Sequence, residues 1–166
     1  MANITLGGTP IKTSGNLPAV QSILSDFELT ATDLSTKTLS DYKGYRKLLN
    51  IFPSVDTGVC AASSRKFNEE AASLENTKVL CISRDLPFAQ ARFCAADGLE
   101  HVEMLSDFKT GSFGKQNGLD ITTGAFEGLH SRVVLVLDEN NTILYSEQVP
   151  EIGQAPNYEN ALNALK

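Results

Sequence analysis

The sequence predicts an α/β protein: a mixed β-sheet flanked by helices, preceded by an N-terminal β-hairpin. Three observations carry that expectation. Strand-length apolar runs at Lys47–Phe52, Lys78–Ser83 and Arg132–Leu137 are separated by stretches of helical periodicity. Their order is strand–helix–strand–helix, then an antiparallel hairpin and a last helix, which describes sheet and helix layers around one core. The chain has 166 residues and is 42% hydrophobic, enough to bury that core as a single domain, 1–166.

Each element has a local reason. Ile4–Leu6 and Pro10–Thr13 flank the glycine-rich turn Gly7-Gly8-Thr9, which reads as a hairpin. Phe27–Thr32 alternates apolar Phe27, Leu29 and Ala31 with polar residues, as a half-buried strand does. Lys37–Leu39 is a short strand, and Ser40–Gly44 a turn or helical turn. Lys47–Phe52 is almost continuously apolar, a buried strand ended by Pro53. A helix begins near Val59 or Cys60, because Phe67, Ala71 and Leu74 recur at helical spacing. Lys78–Ser83 is the second buried strand and carries Cys81. Pro87 opens a helix over 87–97, Phe88, Ala91 and Ala95 form its stripe, and Gly98 stops it, with Cys94 inside. Val102–Leu105 is a strand and Ser112–Asn117 a short helix. Arg132–Leu137 and Thr142–Val149 form a hairpin about the turn Asp138–Asn141, and Pro156–Lys166 closes the chain as a helix. This order fits a thioredoxin-like architecture.

Composition removes several function classes. Fourteen basic against 20 acidic residues leave a net charge of −6, without the basic footprint of a nucleic-acid or anionic-membrane binder. No apolar run approaches the length of a membrane span, and residues 1–9 lack the marks of a secretory signal, so a cytoplasmic protein is expected. Three cysteines cannot all pair within one chain. No CxxC occurs, and His101 and His130 are the only imidazoles, which disfavours a zinc or multi-histidine site.

The residues that carry chemistry lie between the first buried strand and the next helix, in Pro53-Ser54-Val55-Asp56-Thr57-Gly58-Val59-Cys60. Such strand-to-helix crossings gather at the sheet edge where ligands bind. Cys60 falls in the first helical turn, where free N–H groups and the macrodipole favour an anion such as a thiolate. Ionising a cysteine fully gains only about 2 kcal/mol over its ordinary state at neutral pH, so fast catalysis needs donors as well. Thr57, three residues earlier, can face the same pocket, and a guanidinium would hold both the thiolate and a departing oxygen. Arg132, at the opening of its apolar strand, is the candidate.

Pro53-x-x-x-Thr57-x-x-Cys60 resembles the peroxiredoxin active-site pattern, and Leu49–Ala61 is similar to bacterial thiol peroxidases, the atypical two-cysteine branch. The resemblance continues through Lys78–Cys94, Gly128–Asp138 and Tyr158–Lys166, nearly the whole chain. It departs at Ser25–Leu29, where many peroxiredoxins carry Ala-Pro before the Asp-Phe pair. The resemblance implies a peroxidase for hydrogen peroxide and organic hydroperoxides. Cys60 would attack the peroxide and become a sulfenic acid, with Thr57 and Arg132 orienting thiolate and peroxide and Pro53 shielding the pocket. Cys94 would resolve the sulfenate as an intramolecular disulfide, which thioredoxin would reduce. It implies no metal or organic cofactor, and a homodimer. Since disulfide Cα atoms lie within about 7 Å, part of helix 87–97, and the first turn after Val59, is expected to unwind in each cycle.

Other readings stand beside these. Cys81 reads as a small buried hydrophobe, and Cys94 by helix position alone could be another. Arg132 could be a surface ion-pair partner, and Thr57 a helix cap. His101 and His130 are assigned no role and read as solvated or hydrogen-bonded. A non-enzymatic redox sensor on the same fold would also oxidise Cys60 but would not turn over. A cysteine hydrolase needs a histidine base, and none is near Cys60 in sequence.

Overall fold

The computed structural model describes residues 2–166. It opens with a hairpin of β1 (Asn3–Leu6) and β2 (Thr9–Lys12), in which Leu6 pairs with Thr9. The turn is therefore Gly7-Gly8, both at positive φ (58° and 83°), the backbone a two-residue hairpin turn demands. The hairpin forms its own two-stranded sheet.

The main sheet comprises β3 (Leu29–Ala31), β4 (Thr36–Lys37), β5 (Arg46–Ile51), β6 (Thr77–Ser83), β7 (Glu103–Ser106), β8 (Val133–Leu137) and β9 (Ile143–Gln148). Their spatial order is β4-β3-β7-β6-β5-β8-β9. β5, β6 and β7 run parallel, while β3, β4, β8 and β9 join antiparallel, so the sheet is mixed as expected. β3 is shorter than the alternation implied and buried at every position, because β4 and β7 flank it and Thr30 is covered as fully as its neighbours.

Helices α1 (Gly58–Ala71) and α2 (Pro87–Asp97) are the crossovers β5→β6 and β6→β7. Right-handed crossovers stepping in one direction put both on one face. There they pack with α4 (Tyr158–Asn163) on Leu48, Val79, Cys81, Met104, Val134 and Val136. The alternate residues Leu49, Ile51, Leu80, Ile82, Leu105 and Leu135 face the opposite core, under Phe27, Tyr42 and Phe113 of α3 (Ser112–Gln116). The same strands feed both cores through the period of two.

α2 begins and ends where its local signals lie, with Pro87 in the first turn and Gly98 in the left-handed region (φ 63°) as its cap. α4 is shorter than the Pro156–Lys166 expected. The Asn157 side chain accepts the Asn160 N–H at 2.9 Å, so Asn157 caps the helix and Pro156 stays outside. Leu165 and Lys166 close with i−3 bonds. Among the described residues no helix is long and apolar enough to cross a membrane.

Candidate active site

β5 stops at Ile51 because Pro53, without an N–H, cannot continue its ladder. Phe52 and Pro53 are buried, and the chain turns through Ser54–Thr57 into α1. Asp85, just past β6, holds that turn. Its carboxylate accepts from the Ser54 hydroxyl (2.7 Å), the Val55 N–H (2.9 Å) and the Ser83 hydroxyl (2.6 Å). Thr57 occupies the N-cap with extended backbone (φ −100°, ψ 142°), and its carbonyl accepts the Ala61 N–H at 3.0 Å. Its hydroxyl does not cap the helix; it donates to the Ser54 carbonyl at 3.0 Å. Cys60, third residue of the helix, is 0% exposed, against the dipole's positive end.

Arg132 reaches this edge through register. β8 is antiparallel to β5, with Ile51 opposite Val133, so Arg132 stands just before β8, beside the exit of β5. By strand alternation it shares a face with Val134 and Val136, the face that α1 covers. It is 1% exposed, and no carboxylate lies within ion-pair distance of it among the described residues, which overturns the reading as a surface ion-pair partner. Nε donates to the Ile152 carbonyl at 2.8 Å, while Nη1 has no partner among the described residues. A buried guanidinium with an open donor is expensive to maintain and is chemically useful for that reason. Tyr158 of α4, stacked edge-on against Phe67 at 5.2 Å, feels the same charge. Burial raises its hydroxyl pKa, and Arg132 pulls the other way.

All three cysteines are free. Cys94 sits in α2, half-buried, and burial, then the Asp97 charge, raises its pKa. Its carbonyl accepts the N–H groups of both Gly98 and Leu99, so the cap of α2 hangs on Cys94 itself. Cys81, in β6, is wholly buried, and burial pushes its thiol up to about 12. The Asn50 side chain lies 3.8 Å from its sulfur. Two ion pairs join the segments that carry the other two sulfurs: Arg92 to Asp56 at 3.1 Å, and Arg65 to Asp97 at 2.7 Å.

The Redoxin family profile matches residues 13–162. A thiol peroxidase of Corynebacterium glutamicum is 50% identical over 165 residues, 99% of each chain. The chain belongs to the Redoxin family. A peroxiredoxin-like protein from Aquifex aeolicus superposes with a TM-score of 0.93 at 33% identity, over 99% of this chain and 96% of that one. A thiol peroxidase from Chromobacterium violaceum shares the fold at TM-score 0.92 and 22% identity, again over 99% and 96%. Within the family the resemblance to atypical two-cysteine peroxiredoxins holds, and the chain is a thiol-dependent peroxidase that reduces peroxides by cysteine chemistry.

In this redoxin the tertiary structure adds residues that sequence patterns did not single out. Asp85, between β6 and α2, proves to be the clamp on the Ser54–Thr57 turn. The Ile152 carbonyl holds Arg132, and no side-chain pattern could flag a carbonyl. His130 is the hydrogen-bonded alternative, not the solvated one: it is fully buried, with Nε2 2.9 Å from Asp107 and 3.9 Å from Asp120.

Proposed function

We propose that Cys60 is the peroxidatic cysteine and Cys94 its resolving partner, in a single-domain enzyme recycled by thioredoxin. What supports this is a helix-start thiol, Cys60, after the exit of β5, together with the open Nη1 of buried Arg132, which the β5–β8 register brings to the same end of the sheet. The Cys60 thiolate attacks the terminal oxygen of a hydroperoxide, forming an S–O bond as the O–O bond breaks. The alcohol or water leaves after taking up a proton. Arg132 donates to the peroxide oxygens as charge moves onto the leaving one, and the Thr57 hydroxyl orients the reacting atoms. Pro53 and Phe52 keep bulk water off the sulfur. Cys94 then attacks the sulfenic sulfur, giving the Cys60–Cys94 disulfide and water. A thioredoxin dithiol returns two electrons and leaves as its own disulfide.

Resolution requires motion, since both sulfurs begin inside helices. α2 is the segment that opens. It fully buries only Pro87 and Gln90, whereas α1 buries Cys60, Ala61, Ser63, Ser64 and Phe67. Sparse burial means a low free energy of local unfolding. A thioredoxin-driven cycle belongs in a reducing compartment, the cytoplasm. Leu86 (52% exposed) and Phe88 (67%) present apolar surface at the start of α2, and we assign this patch to a second copy of the chain in a homodimer.

Peroxide consumption coupled to thioredoxin and its reductase tests the assignment. Cys60→Ser abolishes turnover. Cys94→Ser permits one oxidation of Cys60 per chain and loses thioredoxin recycling. Undiminished recycling in Cys94→Ser overturns the resolving role.

A further inference from the structure

We infer that Glu151 is a positioning residue for Arg132, and that the β1–β2 hairpin buttresses the active-site guanidinium from outside the main sheet. This rests on the role proposed above for Arg132.

A continuous set of bonds links the two. Arg132 Nε is anchored on one atom, the Ile152 carbonyl oxygen. The peptide that carries this carbonyl is laced to β1: the Ile152 N–H donates to the Thr5 carbonyl at 2.8 Å, and the Thr5 N–H to the Pro150 carbonyl at 2.8 Å. Thr5 and Glu151 thereby form an isolated parallel bridge. The Ile152 side chain, 2% exposed, is buried with Ile4, Ile11 and Ile121, in a small core that the hairpin builds. Glu151 ties the assembly together. Oε1 accepts from the Thr5 hydroxyl at 3.0 Å and the Gly8 N–H at 2.8 Å, and Oε2 accepts from the Gly153 N–H at 2.7 Å. One carboxylate thus joins the strand, the turn of the hairpin and the strap 150–153.

A guanidinium held at Nε can still swing about its long side chain if the acceptor moves. Displacement of a catalytic donor by about 1 Å can slow a reaction by about 100-fold. Loss of the Glu151 carboxylate frees the strap from the turn at Gly8, so the Ile152 carbonyl wanders and the guanidinium wanders with it.

The test is a double-mutant cycle on reduced full-length protein, following Cys60 oxidation after one equivalent of hydrogen peroxide by acid quench and mass spectrometry. Arg132→Lys slows this step about 100-fold, because an ammonium cannot reproduce the fork. Glu151→Ala slows it about 3- to 30-fold, and the double variant is no slower than Arg132→Lys alone within about two-fold, the signature of one pathway. Reduction of the preformed disulfide by thioredoxin stays at the parent rate, a split that general destabilisation would not produce. If Glu151→Ala does not fold, Glu151→Gln and Thr5→Val report instead, with smaller slowing in the same step. The inference is overturned if Arg132→Lys is slow while every folded variant at Glu151 and Thr5 oxidises at the parent rate, or if the two losses multiply. A parent rate in Arg132→Lys itself overturns the role of Arg132 and this inference with it.

Discussion

Arg65 in α1 reaches across to Asp97 in α2, with Nη2 2.7 Å from the carboxylate. With Asp56–Arg92 it forms a pair of bridges spanning the two segments in which Cys60 and Cys94 lie. The bridges hold α2 in the folded arrangement, in which Cys94 is helical, so they oppose the opening that the proposed Cys60–Cys94 disulfide needs.

Removing either bridge therefore speeds resolution. Exposed pairs contribute about 0.2–1 kcal/mol each, so Arg65→Ala or Arg92→Ala accelerates disulfide formation about 1.5- to 5-fold and leaves the peroxide step unchanged. Raised salt acts in the same direction. Stopped-flow of the second oxidative phase reads both effects, and a resolution rate indifferent to salt and to both substitutions refutes the latch.

Cys81 serves packing. With its thiol pushed up to about 12 by burial, it is neutral at pH 8 and shielded as well. A Cys60→Ser/Cys94→Ser chain treated with iodoacetamide at pH 8 shows no mass shift until denaturant is added. Native-state labelling at the rate of a free cysteine contradicts this.

Gly114 leaves room for the buried His130 cluster. A Cβ there would lie 2.1 Å from Asp120 Oδ1 and 2.8 Å from His130 Nε2, while the Gly114 N–H donates to Asp107 at 2.9 Å. Gly114→Ala consequently destabilises the fold by about 1–3 kcal/mol, visible as a lower urea midpoint. An unchanged midpoint shows that the cluster yields freely.

Glu151 also sets an acid limb. The N–H groups of Gly153 and Gly8 lower its pKa from 4.5 to about 2. A depressed carboxylate contributes its full stability above the unfolded value and loses it as pH falls through the folded one. Between about pH 4.5 and pH 2, then, the parent loses stability more steeply than Glu151→Gln. Parallel thermal-unfolding profiles over that window count against the effect.

The patch of Leu86 and Phe88 gives the last expectation. Phe88→Glu converts the proposed dimer to a monomer in sedimentation velocity while the chain keeps its parent far-UV circular dichroism, because the side chain touches solvent in the isolated chain. A parent chain that is already monomeric sinks the dimer assignment.

Much of this protein is written locally. The helix over 87–97 has the expected bounds because Pro87 and Gly98 act on their own backbone. Cys60 stands in a first helical turn because Pro53 ends β5 and Thr57 takes the N-cap of α1. The period of two in β5, β6 and β8 dictates the two cores before any contact is known. Where local signals compete, they mislead by a few residues, as in α4, whose start is decided by the capping Asn157 and not by Pro156.

The sequence by itself thus determined the α/β class, the sheet's main strands and the thiol at a helix start, since each depends on neighbours within a few residues. Only the tertiary structure decided what surrounds that thiol. Asp85 clamps its loop from the end of β6, Arg132 arrives at the exit of β5 through the β5–β8 register, and Ile152 supplies a carbonyl that the hairpin holds in place. These links join residues far apart in the chain, and each of them uses backbone groups, an N–H or a carbonyl, that almost every residue possesses. Such bonds leave no mark in composition or periodicity, because their partners are chosen by the folded path of the chain and not by side-chain identity.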